Sequence, residues 1–480
     1  MKHFFSSSRL LSFLSSFALL VSPLFADTKP NFIVILADDL GWGDISCQGA
    51  TKIQTPNIDR LAREGARFTD AHSPASVCSP SRYGVMTGLS PWRLHRTGNG
   101  YKLKKDRLNI ASMLEAQGYR SAAIGKWHLG YGKDWNQKRI TGPLEVGFNY
   151  HFGVPGNHND QYRVFIENHD IFGRKPGEAY RVVNDGRDLP EGVSQPRVED
   201  QVDTTLTAKA VGFIREQKDQ PFFLYFTPCA SHTHITPAAK FRGTSQAGLL
   251  GDYIQELDAH VGDLLATLDE LKLSERTLVI FSSDNGGTPN DFKGSQKMNL
   301  NLASEAGGVR EKFHTAKQDA RAMGHFTNGP WHDGKGSPYE GGHRVPFIAR
   351  WPGQIPAAST SEQTICLTDL LATFASIVGA KLPDDAGEDS FDILPALRDP
   401  SLATPIRPIT ILQADTKDDV LAVRSGRWKF TESKNGKKKT LYDLTQDVGE
   451  TKDIAAEHPE VVKQLSAQLA QAREAGRTRK

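Results

Sequence analysis

Four apolar runs, rich in β-branched and aromatic residues, recur along the chain, and each stops on polar groups. Asn31-Phe32-Ile33-Val34-Ile35-Leu36-Ala37 runs into Asp38-Asp39. Arg120-Ser121-Ala122-Ala123-Ile124 runs into Gly125-Lys126-Trp127-His128. Pro221 to Phe226 leads to Ser231-His232-Thr233-His234, and Leu278 to Phe281 leads to Ser282-Ser283-Asp284-Asn285-Gly286-Gly287. Continuous apolar runs of this length suit strands buried on both faces of a parallel sheet. Helical patterns lie between them, from Ile110 to Tyr119 and at Leu250, Ile254, Leu257, Val261, Leu264, Leu265 and Leu268. Strand and helix in alternation predict an α/β sandwich. Ligands of such sheets sit beyond the carboxyl ends of the strands. All four runs deliver charged or imidazole groups to that edge.

The tail has a different rhythm. Pro383-Asp384-Asp385 and the proline-bearing stretch Pro395 to Pro408 read as a linker or irregular crossing. Short strand-like pieces follow at Ile409 to Leu412, Val420 to Arg424, Trp428 to Thr431 and Thr440 to Leu444, with turn signals at Ser425-Gly426 and Asn435-Gly436. A helix from about Pro459 to Ala475 closes the chain. The expectation is a domain over 27–400 and a small α+β subdomain over 401–480, an antiparallel sheet with a terminal helix.

Residues 1–26 read as a secretory signal. Lys2, His3 and Arg9 precede an apolar, serine-interrupted stretch from Leu10 to Val21, with a cleavage site after Ala26. That stretch is too short to span a membrane comfortably, and no later segment is apolar for long enough. The expected protein is exported, to the periplasm or beyond, with no stable membrane insertion. Formal charge is +2, and Lys2 and Arg9 account for both units. The remainder is nearly neutral, which argues against a nucleic-acid or acidic-membrane partner. Four cysteines, Cys47, Cys78, Cys229 and Cys366, are too few for a disulfide framework. If Cys78 is reactive, one disulfide among the other three is allowed and none is required.

Cys78 sits in Cys78-Ser79-Pro80-Ser81-Arg82, shortly before Met86-Thr87-Gly88. Ser79 as N-cap and Pro80 as first helical residue predict a helix start, with Cys78 at its positive end, where an anion is welcome. Arg82 adds charge one turn on. The pentapeptide alone is equally compatible with a buried structural thiol.

Asp38, Asp39, Asp284 and Asn285 place four oxygen donors at two strand ends. Without clustered Cys or His, such a set favours Ca²⁺ or Mg²⁺ over zinc. Adjacent carboxylates entering one crevice repel each other unless a cation is present, although a lone Asp-Asp pair reads as a solvated turn. Lys126 and His128 are two apart, and on extended backbone they point to the same side; a surface Lys and a core His is the plain alternative. His232-Thr233-His234 could be a metal pair, but no third soft ligand is evident. We favour His232 as an acid/base group and keep His234 as a candidate substrate contact. Lys335 lies in the glycine-rich segment Gly334 to Pro346, whose glycines let a loop approach closely; a lone lysine would ordinarily be at the surface.

Taken together, the strand-Asp-Asp start, Cys-x-Pro-Ser-Arg with Thr-Gly downstream, Gly-Lys-Trp-His-Leu-Gly, Ser-Asp-Asn-Gly and Glu-Gly-Gly-x-Arg-Val-Pro, in that order along the chain, resemble the type I, formylglycine-dependent sulfatases (the arylsulfatase and N-acetylgalactosamine-6-sulfatase branch) of the alkaline-phosphatase-like superfamily. The motifs span residues 31 to about 350, and Arg427-Trp428-Lys429 with Leu441-Tyr442-Asp443 resemble that family's C-terminal domain. The resemblance implies an alkaline-phosphatase-like sandwich with a mostly parallel central sheet. It implies that a formylglycine-generating maturase oxidises Cys78 to 3-oxoalanine (Cα-formylglycine), which hydrates to a gem-diol. One Ca²⁺ is held by Asp38, Asp39, the modified Cys78, Asp284 and Asn285. One diol oxygen attacks sulfur, and the alcohol leaves with His232 as proton donor, helped by Lys335. Arg82 and Lys126 stabilise the hydrated aldehyde or the sulfate oxygens. His128 takes the proton from the second diol oxygen, which expels sulfate and restores the aldehyde. A plain cysteine would leave a sulfur ester with no route to self-release. The chain departs from the family's usual Pro-His-x-Pro segment, which reads Ser231-His232-Thr233-His234 here.

The implied substrates are aryl sulfates or sulfated carbohydrates, with a 6-sulfated galactose or N-acetylgalactosamine unit as the specific expectation. The segment Gly147 to Tyr162 reads as a substrate-facing loop. Candidate saccharide contacts are Arg93, His95, Asn157, His158 and His234, with His343 weighed evenly between substrate contact and helix-side residue. Two other readings fit the same residues: a phosphonate or phosphate monoester hydrolase using the same aldehyde, and a non-catalytic glycan-binding protein if Cys78 is never converted.

Overall fold

The computed structural model of the chain describes Met1 and residues 29–94, 101–132, 139–158, 160, 163–174, 197–289 and 316–479. The reading of 1–26 as a signal, and His95, therefore lie outside the described residues.

Fourteen strands are described, in two sheets. The larger contains β1 (Asn31–Ala37), β2 (Ala66–His72), β3 (Arg120–Lys126), β4 (Tyr150–Val154), β5 (Ile166–Glu167), β6 (Asp170–Ile171), β7 (Phe222–Thr227), β8 (Thr277–Ser283), β9 (Phe347–Arg350) and β10 (Ser359–Cys366). Its order is β10-β2-β9-β8-β1-β7-β3-β4-β5-β6. β1 lies inside the sheet and runs parallel to both β7 and β8. Its residues alternate between two cores. Phe32, Val34 and Leu36 pack on one face with Phe223 and Tyr225. Ile33, Ile35 and Ala37 pack on the other with Phe222, Leu224 and Phe226. Burying each such side chain contributes roughly 1.5–3 kcal/mol, which is why the run has no polar position to spare. Helices cover both faces. On the second, Gly248–Glu270 buries Leu250, Ile254, Leu257, Val261, Leu264, Leu265 and Leu268, as the pattern predicts.

The sheet is not wholly parallel. β9 runs antiparallel to β8 and β2, and β5 and β6 are antiparallel additions. The sequence did not announce β2 or β10. Ala66-Arg67-Phe68-Thr69-Asp70-Ala71-His72 mixes charge with apolar residues, and β10 is an edge strand whose outer positions are exposed.

The second sheet is the antiparallel meander β11 (Thr410–Gln413), β12 (Leu421–Ser425), β13 (Trp428–Glu432) and β14 (Lys439–Asp443). Its core side, with Val423, Phe430 and Leu441, is closed by Leu465, Leu469 and Ala472 of the helix Pro459–Glu474. Among the described residues no helix is long and apolar enough to cross a membrane. All four cysteines are free thiols.

Candidate active site

Strand register builds the site. β1 and β8 pair up to Ala37 and Ser283, so the next residues, Asp38 and Asp284, leave the sheet side by side. On the other flank of β7, Gly125 pairs with Thr227, which brings Lys126 to the same edge. Asp39 turns away in the left-handed region, at φ 59°. Its backbone N–H donates to Asp284 Oδ1 at 3.2 Å.

Each carboxylate is matched by a cation or donor. Lys126 Nζ donates to Asp38 Oδ1 and Oδ2 at 2.8 and 2.7 Å. Arg82 Nε and Nη2 reach Asp284 Oδ2 at 2.8 and 2.7 Å. Lys335 Nζ donates to both oxygens of Asp39 at 2.6 and 2.8 Å, joined by Asn285 Nδ2 at 2.9 Å and Thr288 Oγ1 at 3.1 Å. Burial alone would raise the Asp39 carboxyl; the charge of Lys335 outweighs it and holds it well below its ordinary value. Burial opposes charge on Lys335 as well, but Asp39 raises its ammonium well above the usual range. Both groups are therefore ionised at neutral pH.

Cys78 lies in the middle of these groups. Its Sγ is 3.5 Å from Asp38 Oδ1, 3.7 Å from Asp39 Oδ1 and 3.3 Å from Lys335 Nζ. The local cap differs from expectation. The helix spans Cys78–Thr87 with Val77 as N-cap, so Cys78 is its first residue and Pro80 stands two positions further in than predicted. The Ser79 hydroxyl donates instead to His128 O at 3.0 Å. Together with Arg82 Nη1 donating to Lys126 O at 2.9 Å, it fastens the Lys126–His128 segment to the helix. Burial, then the charge of Asp284, drives the Cys78 thiol above its ordinary pKa. A buried, protonated thiol is a poor nucleophile.

His128 reaches the site differently from expectation. It has φ 57°, so the chain has already left the extended form and strand alternation does not set its direction. Burial, then Lys126 and Arg82, push its imidazole well below its ordinary value. It is neutral, and can accept a proton. His232 Nε2 faces Asp39 Oδ2 at 3.9 Å. Its Nδ1 bonds to Thr233 O, which can only accept, so Nδ1 carries the hydrogen. Burial lowers the His232 pKa well below normal against the pull of Asp39. The turn before it is fixed by Asp203, which accepts from Cys229 N at 2.7 Å and Ala230 N at 2.9 Å.

The donor set fits a hard divalent cation. Ligand atoms of Asp38, Asp39, Cys78 and His232 lie within 4.8 Å of one another. Asn285 Oδ1 is buried with no hydrogen-bond partner, although its Nδ2 is fully used. An orphaned carbonyl oxygen beside three carboxylates matches the oxygen-rich coordination of Ca²⁺.

The saccharide candidates do not form one group, although the His158 and His234 rings meet edge to face at 6.0 Å between centroids. Arg93 is engaged elsewhere, in a two-point pair with Asp389 at 2.7 Å for both contacts and a bond to Ala472 O. His343 is buried between His72 Nδ1 at 3.0 Å and Lys429 Nζ at 2.6 Å. His234 bonds Glu199 Oε2 at 3.0 Å, and His158 bonds Thr236 Oγ1 at 2.8 Å, both in the interior. Asn157 follows β4, whose last residue Val154 is in register with Lys126, and it is half-buried. Three contributors escaped the sequence reading. Thr288 had a signal, lying directly after Ser-Asp-Asn-Gly-Gly. Asp203 and Lys317, the latter buried within the electrostatic reach of Asp39, lie on helices with no local mark of their role.

A sulfatase family model matches residues 30–380, and the model for the N-sulphoglucosamine sulphohydrolase C-terminal region matches residues 329–475. The chain is 32% identical over 498 aligned residues to an N-acetylgalactosamine-6-O-sulfatase of Bacteroides thetaiotaomicron, covering 92% of each. It is 31% identical to human N-acetylgalactosamine-6-sulfatase, covering 85% of this chain and 73% of that one. A solved structure described as BT33336S-sulf, from work on glycosaminoglycan metabolism by Bacteroides thetaiotaomicron, superposes with TM-score 0.82 at 32% identity, covering 93% of this chain and all of the other. The phosphonate monoester hydrolase of Agrobacterium radiobacter shares the fold, with TM-score 0.64 at 19% identity over 93% of this chain and 96% of its own.

Proposed function

Because the chain belongs to the sulfatase family and is thereby a sulfuric ester hydrolase, we propose that it removes sulfate from sulfated glycans by a calcium- and formylglycine-dependent route, with a 6-sulfated N-acetylgalactosamine or galactose unit as substrate. The observation that carries the reading is the setting of Cys78: 3.3 Å from Lys335 and enclosed by Asp38 and Asp39 at the start of a helix. The relatives named for N-acetylgalactosamine-6-sulfate support the sugar and the position.

Asp38, Asp39, Asp284, Asn285 and position 78 would hold Ca²⁺, which supplies positive charge against the sulfate oxygens. Oxidation of Cys78 to Cα-formylglycine supplies a hydrated aldehyde, with one hydroxyl for attack and a second to release sulfate. Everything else falls to the chain's own side chains. Arg82, Lys126 and Lys335 concentrate cationic charge where a sulfuryl anion must sit; Arg82 and Lys126 are fully buried and Lys335 is partly exposed. His232 presents Nε2 beside Asp39, and an arriving anion favours a proton there for delivery to the leaving oxygen. Neutral His128 takes the proton from the second hydroxyl. Arg93 and His343 are bound into interior pairs, so we do not assign them to the saccharide.

We further propose that residues 1–26 direct export, and that 27–400 and 401–480 are the catalytic domain and its C-terminal companion. Mass analysis of the Cys78 peptide tests the chemistry: conversion replaces sulfur by oxygen with loss of two hydrogens. An unmodified thiol in fully active protein from the native host would refute it. A panel of sulfated monosaccharides tests the substrate, and preference for a 2-O- or 3-O-sulfate refutes the 6-sulfate reading. Faster turnover of an aryl phosphonate than of the matched aryl sulfate refutes the sulfatase reading in favour of the phosphonate one.

A further inference from the structure

The second sheet touches the catalytic centre through its backbone. The last residue of β11, Gln413, forms a parallel bridge with Ala75: its N–H donates to Pro74 O at 3.1 Å, and its carbonyl accepts from Ser76 N at 2.9 Å. Cys78 follows two residues later. Ser76 O in turn accepts from Gly336 N at 2.8 Å, and Gly336 O accepts from Asp415 N at 2.9 Å. Gln413, Ser76, Gly336 and Asp415 thus close a ring of backbone hydrogen bonds. It joins the segment before Cys78, the loop carrying Lys335, and the end of β11. A buried ionic anchor holds the same two bodies together. Glu340, five residues past Lys335, receives Arg424 of β12 at 2.8 Å and Lys429 of β13 at 2.9 Å.

We propose that the β11–β14 sheet is part of the catalytic apparatus: the 413–415 segment is a positioning element that fixes Lys335 against position 78, with the Glu340–Lys429–Arg424 anchor keeping it docked. This rests on the reading of Lys335 as an aid to proton delivery at the leaving oxygen. Each segment also has ties of its own, Ser81 Oγ to Ala75 O at 2.8 Å and Asn328 Nδ2 to Asp333 O at 2.8 Å, and the ring joins the two to each other and to the end of β11. The Lys335 loop is rich in glycine, and on the Asp284 side it is held by Lys335 N to Gly287 O at 3.0 Å and, seven residues further on, by Gly286 N to Gly342 O at 2.9 Å. Lys335 reaches Asp39 with a flexible side chain, so a shift of its backbone changes where the ammonium can sit. Misplacing such a group by about 1 Å can cost 10²-fold in rate.

The test is Asp415→Pro, which deletes the N–H donated to Gly336 at an exposed loop position, beside Asp415→Ala, which keeps it. Both are assayed with matured enzyme on aryl sulfates of graded leaving-group acidity, with kcat and KM separated and melting temperature recorded. Lys335→Ala runs in parallel. The expected result is a kcat loss in Asp415→Pro of about tenfold or more on poor leaving groups and about twofold on good ones, with KM and melting temperature near wild type. Asp415→Ala recovers at least half the wild-type kcat. An equal loss on every ester, tracking a fall in melting temperature, overturns the positioning role, as does wild-type behaviour of Asp415→Pro. If Lys335→Ala itself shows no dependence on the leaving group, the assigned role of Lys335 is what fails, and the proposal fails with it.

Discussion

Gly286 is where the Asp284-Asn285 turn meets the loop that carries Lys335. Its N–H donates to Gly342 O at 2.9 Å. A Cβ built at Gly286 falls 1.8 Å from Gly341 O, far inside the 3.0 Å floor of real Cβ contacts. The deficit is about 1.2 Å, and the opposing atom is backbone, so no side-chain rotation relieves it. Gly286→Ala must therefore part the two loops by more than an ångström. Two consequences follow. Overpacking of this kind costs about 1–3 kcal/mol of stability, and at the upper end the melting temperature falls by several degrees. The separation also falls directly on the contact of Asn285 Nδ2 with Asp39 Oδ1 at 2.9 Å and on the approach of Lys335 to the same carboxylate. Displacement of that order can reduce kcat by about 10²-fold. The assay is steady-state turnover of an aryl sulfate per mole of folded, aldehyde-bearing enzyme, with calorimetry alongside. A variant with wild-type kcat per folded molecule would show that the loops separate freely without consequence, and would refute the argument that their close approach sets the site.

Three further outcomes are expected. Chelation of Ca²⁺ should lower both activity and melting temperature, with each restored by added Ca²⁺, because a ligand that binds only the native state stabilises by mass action; unchanged melting in chelator refutes the metal assignment. Arg93→Ala should destabilise by about 3–5 kcal/mol, because it leaves Asp389 buried without its partner, while KM per folded enzyme stays within twofold; a large rise in KM with intact stability would return Arg93 to the substrate. His260 is raised to about 9: burial opposes its charge, and the nearby carboxylates of Asp263, at 3.7 Å, and Glu256, at 3.4 Å, prevail. A raised histidine contributes stability that is complete below its unfolded value and lost as pH climbs through the folded one. Unfolding free energy should thus fall between roughly pH 6.5 and 9, by about 3 kcal/mol at most, and His260→Gln should flatten that slope; an unchanged slope refutes the assignment.

The legible parts of this chain are those where one physical demand dominates. β1, β3, β7 and β8 are buried on both faces, so their apolar runs admit no ambiguity, and the strands lie within a residue or two of the expected runs. The meander near the C-terminus was legible for a different reason, its Ser425-Gly426 and Asn435-Gly436 turns. β2 and β10 were not, because polar residues there pair laterally: Asp70 bonds His72 at 2.9 Å and Arg424 at 3.1 Å. The catalytic candidates were legible because strand ends collect them. The saccharide candidates rest on residue type at separate places in the chain, and type does not reveal that Arg93 has a carboxylate partner 296 residues away. Ser79 does not cap its helix, because a hydroxyl at a helix start has two uses and here the His128 carbonyl takes it.

The order of the large sheet also sets the tempo of folding. β1 is the first strand described, yet both its neighbours, β7 and β8, arrive nearly 200 residues or more downstream. β2 waits still longer for β10, where Ser359 meets Ala66. Loop-closure entropy must be overcome before such pairings contribute, so a chain of this topology folds slowly, through intermediates with unpaired strand edges. Asp38 and Asp39 spend that interval without Lys126, Lys335 or Arg82 beside them. The charges of Asp38, Lys126 and Asp284 meet only when β1 has paired with β7 and β8 and β3 with β7, so a chain without those pairings carries every candidate residue and no site.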